Sequence, residues 1–183
     1  GFLVAGTAYS PDTASWDILL LRVDGDGNML WNKTYGGTGN EGGAHIVDVG
    51  DGGFLVAGGT KPPGSSSHYA YLLRVDGDGN TIWQKTYGDS GKRTSAACIV
   101  RSANEGFMIV GSTRSLGASK GGVAYLLAVD GEGNELWETT IGGGFSKTAR
   151  SVVGAGDERF WAAGSAQSSG NATSDAYLSK IKG

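Results

Sequence analysis

Three copies of one acidic, glycine-rich pentapeptide hold the densest array of metal-type ligands in the chain. They are Asp24-Gly25-Asp26-Gly27-Asn28, Asp76-Gly77-Asp78-Gly79-Asn80 and Asp130-Gly131-Glu132-Gly133-Asn134. Carboxylates at positions 1 and 3 with an amide at position 5 are how a calcium loop begins. The rest of that loop is missing. Its position-6 glycine is Met29, Thr81 or Glu135, and its position-12 bidentate Glu is Tyr35, Tyr87 or Ile141. A hairpin turn needs the same residues, because Gly and Asn accept positive φ and Asp makes Asx hydrogen bonds. The segments therefore read as turns, with no metal expected.

Other candidates for chemistry are few. The two histidines, His45 and His68, lack the i, i+4 spacing of a metal pair. His45 aligns with Cys98 and Ser151, which predicts a packed position. Cys98 lies in the apolar run Ala96-Ala97-Cys98-Ile99-Val100 and reads as a buried, inert thiol. No Ser, His and Asp set repeats at a spacing that suggests a nucleophile, so no catalytic residue and no cofactor is expected.

Binding chemistry is concentrated instead in the variable segments 8–16, 60–69, 113–122 and 166–174, and in 36–43, 88–95 and 143–149. Loop variation over a repeated scaffold is where a ligand site belongs. The aromatic and basic residues there are Tyr9, Trp16, Tyr69, Lys92, Arg93 and Arg114, the candidate ligand-binding set. Two sequons, at Asn32 and Asn171, are possible glycosylation sites compatible with export.

What positions these residues is an internal repeat. GFLVAGTA at Gly1 returns as GFLVAGGT at Gly53, GFMIVGST at Gly106 and RFWAAGSA at Arg159, at spacings of 52, 53 and 53 residues. LLLRVDGDGNMLWNKTYGG at Leu19 returns at Tyr71 and Tyr125. The units run 1–52, 53–105, 106–158 and, in part, 159–183, about three and a half copies.

Each unit reads as four strands. Short β-branched and aromatic runs bounded by Gly, Asp and Asn are a strand-and-hairpin pattern, and no helical apolar period is present. The first strand is of the HIVDV type, and FLVAG is the second, closed by Gly6, Gly58, Gly111 or Gly164. ILLLRVD is the third, and MLWNKTYG the fourth. The fold class is all-β. Four antiparallel strands recurring every 40–55 residues further predict β-propeller blades, stacked so that each hides its neighbour's face. Trp31, Trp83 and Trp137 are expected to fill the space between blades. By this count the chain has fourteen strands, with incomplete first and last blades around two complete ones.

The order D-G-G-F-L-V-A-G, loop, L-L-R-V-D-x-D-G-N-x-x-W, K-T-Y-G-G resembles a propeller repeat of secreted and surface proteins of bacteria and archaea, related to the kelch blade. The resemblance covers essentially the whole chain. It implies HIVDV-type strands along a central channel, Trp-bearing strands outermost and no shared catalytic motif. The kelch di-glycine is partial, present at Gly58-Gly59 but Gly6-Thr7, Gly111-Ser112 and Gly164-Ser165 elsewhere. D-x-x-G-N-x-x-W also resembles the tryptophan-docking motif of pyrroloquinoline-quinone enzymes, which would imply a larger ring with its own cofactor ligands.

Composition narrows the rest. There are 34 glycines in 183 residues, against about 7% in an average protein, without a collagen period. Hydrophobic residues make up 39% and the net charge is −3, which argues against disorder. A pI near 5.3 argues against nucleic acid. No apolar run reaches the roughly 18 residues of a membrane span. One cysteine excludes an internal disulfide. The expected function is a non-catalytic propeller module of an extracellular or cell-surface protein, structural or binding a protein or glycan partner. Neighbouring sequence or further copies would complete its ring, the former favoured because Gly1 in place of Met suggests an excerpt. The alternative is an enzyme, or a cofactor- or metal-binding propeller, with its site at the channel mouth.

Overall fold

The computed structural model describes the chain except residues 103–105, 116, 118–120, 143–145, 157–158, 168–172 and 183, and except the Ala44 side chain. Among the described residues there are fourteen strands and no helix. They form four antiparallel meanders in chain order. The first contains β1 (Phe2–Ser10), β2 (Ser15–Val23) and β3 (Met29–Tyr35). The second contains β4 (Asn40–Asp48), β5 (Phe54–Lys61), β6 (Tyr69–Val75) and β7 (Thr81–Tyr87). In the third are β8 (Lys92–Arg101), β9 (Phe107–Ser115), β10 (Val123–Val129) and β11 (Glu135–Ile141). The fourth has β12 (Lys147–Gly154), β13 (Arg159–Gln167) and β14 (Ser174–Lys182).

The cores lie between sheets. In the middle two sheets both faces are covered, so β6 and β10 are apolar along their length, YAYLLRV and VAYLLAV, instead of alternating. Ile18 and Leu20 of the first sheet pack with Phe54, Val56 and Leu73 of the second. Leu55 and Leu72 meet Ile99, Phe107 and Ile109 of the third. Met108, Val110 and Leu126 meet Val152, Phe160 and Ala162 of the fourth. β4 neighbours β8, and β8 neighbours β12, so the HIVDV-type strands run together along one side of the stack.

The glycines expected to close the second strand lie in mid-strand instead. β5, β9 and β13 continue three or four residues past Gly58, Gly111 and Gly164. The reason is a bulge in the adjoining first strand, at Gly43/His45, Ala96/Cys98 and Ala149/Ser151. Each bulge presses a carbonyl into the glycine: a β-carbon there would sit 1.9 Å from Gly42 O, 1.9 Å from Ser95 O or 1.8 Å from Thr148 O. Such close backbone approach is a role only glycine fills.

The tryptophans also differ from expectation. Trp31 and Trp83 do lie between sheets, but half-buried, and the tyrosines four residues on, Tyr35 and Tyr87, are buried. Together they clasp the next sheet's pentapeptide turn. Trp31 Nε1 donates to Gly77 O at 3.2 Å, and its ring lies against Gly79. The Tyr35 hydroxyl donates to Gly79 O at 2.7 Å, and Lys33 Nζ donates to Asn80 Oδ1 at 3.0 Å. One sheet later, Tyr87 donates to Gly133 O at 2.7 Å, Lys85 to Asn134 Oδ1 at 2.9 Å, and the Trp83 ring covers Gly133. The recurrence of W-x-K-x-Y with D-G-x-G-N thus has a physical cause: each is the other's docking partner across the sheet interface. Trp137 is followed by Thr139 and Ile141 in place of Lys and Tyr, and it packs partly buried on the third core.

Cys98 is buried, with Sγ 4.0 Å from Val152 O of the fourth sheet. His45, expected to be packed, is exposed, at the bulge where β4 shifts register against β5.

Candidate functional site

The turns come first, as the acidic candidates. Asp76 Oδ1 accepts the N–H groups of Asp78 and Asn80 at 2.9 and 2.8 Å, and its Oδ2 accepts Asn80 Nδ2 at 3.0 Å. Asp24 and Asp130 repeat the pattern. Gly27, Gly79 and Gly133 supply φ of +88°, +76° and +74°. Hydrogen bonds from Asn28, Asn80 and Asn134 hold the three aspartates below their ordinary carboxyl range. Carboxylate oxygens occupied by N–H donors, and in two turns an amide oxygen occupied by lysine, leave little to offer a cation. Millimolar EDTA is therefore expected to shift the melting temperature by less than about 1 °C. A drop above about 5 °C that calcium reverses would contradict the turn assignment.

The described residues of the variable segments gather at one end of the stack. They join the second to the third strand and the fourth to the next sheet's first, and they are tied to one another. Trp16 N–H donates to Asn40 Oδ1 at 3.0 Å, His68 N–H to Lys92 O at 3.0 Å, and Lys147 N–H to Gly122 O at 2.7 Å. Of the expected ligand-binding residues, two pairs come together. Tyr9 and Trp16 face each other across β1 and β2, ring centroids 5.5 Å apart at 61°, each about half exposed. Arg93 and Arg114 are direct cross-strand partners on β8 and β9.

Lys92 forms an ion pair with Asp89 at 2.5 Å, so its charge is already matched. Tyr69 opens β6 half-buried and lines neither cleft described here. Asn32 is exposed on β3, its Nδ2 3.1 Å from Met29 Sδ. Asn171 lies outside the described residues.

Arg93 and Arg114 line a cleft of about 260 Å³ with His68, Thr94, Ser95, Ser112, Gly122 and Thr148. Arg114 also borders an adjoining cleft of about 210 Å³, with Lys92, Ser115 and Thr140 on its wall. His68 is the member that sequence reasoning missed. A parallel bridge pins it to Arg93, with its carbonyl accepting Thr94 N–H at 2.9 Å. No periodicity marks such a bridge, because it joins a loop to the next sheet across 25 positions. Burial first, then the charges of Arg93 and Lys61, holds the His68 pKa below its ordinary value.

Among the described residues, neither histidine side chain hydrogen-bonds to a carboxylate, hydroxyl or thiol, and no three His, Cys, Asp or Glu side chains gather as a metal site. Among the described residues no helix is long and apolar enough to cross a membrane. No family model and no curated relative matches the chain.

Proposed function

We propose that the chain is a run of β-propeller blades acting as a non-catalytic interaction module, on an extracellular or cell-surface protein, with the loop end as its binding face. The observation that carries this reading is the placement of the exposed Tyr9–Trp16 pair and the Arg93–Arg114 pair at that same end, over a scaffold whose remaining repeated residues serve packing and turns. Exposed aromatic and arginine side chains are the residue types that anchor recognition.

The propeller reading rests on continuation at both flanks. Val4 is 51% exposed, while Val56 and Ile109 at the same place in later sheets are 0%. Leu178 is 63% exposed, while Leu20, Leu72 and Leu126 are 0%. Gly6 has nothing within 4 Å of a built β-carbon, where its counterparts meet an innermost strand. The first sheet thus keeps the glycine, and both flanking sheets keep the apolar faces, that further blades would require.

Glycan-array binding tests the face. The wild-type chain is expected to retain one glycan class, and Trp16→Ala to weaken that binding by roughly tenfold or more. Full retention in Trp16→Ala and in Arg114→Gln alike would remove the loop end as the binding face.

A further inference from the structure

Two arginines held directly opposite each other on neighbouring strands are an electrostatic liability, since like charges at that spacing repel. Here the liability is uncompensated: among the described residues no carboxylate pairs with either guanidinium. Nor does the fold require it. The register places Asn40 opposite Lys61 at the equivalent pair of the second sheet, with a single cation. In the fourth, Ser146 and Gln167 stand there, neutral and joined through the backbone at 2.8 Å. The same scaffold is thus built three ways, and only the third sheet doubles the charge.

Around that pair the cleft carries the hydroxyl side chains Ser95 and Ser112, besides Thr94 and Thr148, whose own hydroxyls are engaged by Thr113 at 2.7 Å and by Ser165 at 2.9 Å. His68 is fixed from the neighbouring sheet by its backbone bonds, and among the described residues no acidic or aliphatic side chain lines the wall.

We infer that this cleft is an anion site for the carboxylate or sulfate of an acidic saccharide, gripped between the Arg93 and Arg114 guanidinium groups with His68 and the hydroxyls around it. Guanidinium forks match the paired oxygens of either group, and a ligand neutralising both removes their mutual repulsion. A wall of hydroxyls, backbone and cations suits a polyhydroxylated ligand and offers no pocket for apolar peptide side chains. The inference rests on the loop end being the binding face and gives that face its ligand chemistry.

The test is titration calorimetry on the whole chain at constant ionic strength, with glucuronate, a sulfated disaccharide and hexa-aspartate as probes. The sugar carboxylate or the sugar sulfate is expected to bind, and which of them binds more tightly identifies the group. Arg93→Gln and Arg114→Gln are each expected to weaken binding roughly tenfold or more, and Arg150→Gln on β12 to leave it unchanged. A second readout needs no variant: the His68 ring, followed by NMR, is expected to titrate below its ordinary range in the free chain and to move upward when the saccharide neutralises the neighbouring Arg93 charge. Preference for hexa-aspartate, equal loss in Arg150→Gln, or an unmoved His68 titration would overturn the inference. Array binding that depends on Trp16 but not on the arginines would overturn it while leaving the proposed interaction module standing.

Discussion

Replacing Gly111 by alanine is expected to destabilise the chain by about 3 kcal/mol, while Gly6→Ala shifts stability by less than about 0.5 kcal/mol. The two glycines occupy the same place in the repeat and differ only in what lies beside them. At Gly111 the added β-carbon would stand 1.9 Å from Ser95 O and 2.9 Å from its carbonyl carbon, both backbone atoms. Backbone in a paired strand cannot swing aside as a flexible side chain can. The bulged innermost strand must therefore move away from β9, opening the cores on both of its faces. Gly6 has nothing within 4 Å, because among the described residues β1 is an edge strand paired only with β2. Urea denaturation of the two variants decides the matter. Equal costs would mean that the bulged strand is not what the glycine accommodates.

The second large effect is expected at Tyr87. Its ring is buried in the core between the second and third sheets, and its hydroxyl donates to Gly133 O at 2.7 Å. Burial drives the phenol's pKa above its ordinary value, so the hydroxyl keeps its proton and the bond at any mild pH. Tyr87→Ala removes the ring and the clasp together and is expected to cost about 3–5 kcal/mol. Tyr87→Phe leaves the ring and strands one carbonyl, for about 1 kcal/mol. Trp83→Ala, at a half-buried position, is expected to fall between them, near about 2 kcal/mol. If Trp83→Ala proved costlier than Tyr87→Ala in the same urea melts, the tryptophan and not the tyrosine would be the anchor of the interface.

Strand number, strand order and the meander of each sheet were legible in the sequence, because a repeat states the same hydrophobic pattern three times and a turn needs Gly, Asp and Asn at fixed places. The roles of Gly58 and Gly111 were not. A glycine after an apolar run reads as a stop, and the bulge that demands it lies on a different strand about fifteen residues away. Trp83 was legible as an interface residue, but its burial was not, since the depth depends on a turn 50 positions further on. Of the site, Arg93 and Arg114 could be singled out by type and loop position. Their register across β8 and β9, and the arrival of His68 from the preceding sheet, are properties of the packed structure alone.

An open run of antiparallel sheets with uncovered apolar flanks should not persist as a lone particle. Phe2 and Val4 on one flank, and Val153, Trp161 and Leu178 on the other, present apolar side chains to solvent. Faces and edges of this kind associate when nothing covers them. Multi-angle light scattering of the isolated 183 residues measures this directly. The expected result is a mass at a multiple of 18.7 kDa, reflecting copies joined through their flanking sheets. A monodisperse monomer of 18.7 kDa that melts in one cooperative step would contradict it and point to a compact closure of these four sheets on themselves.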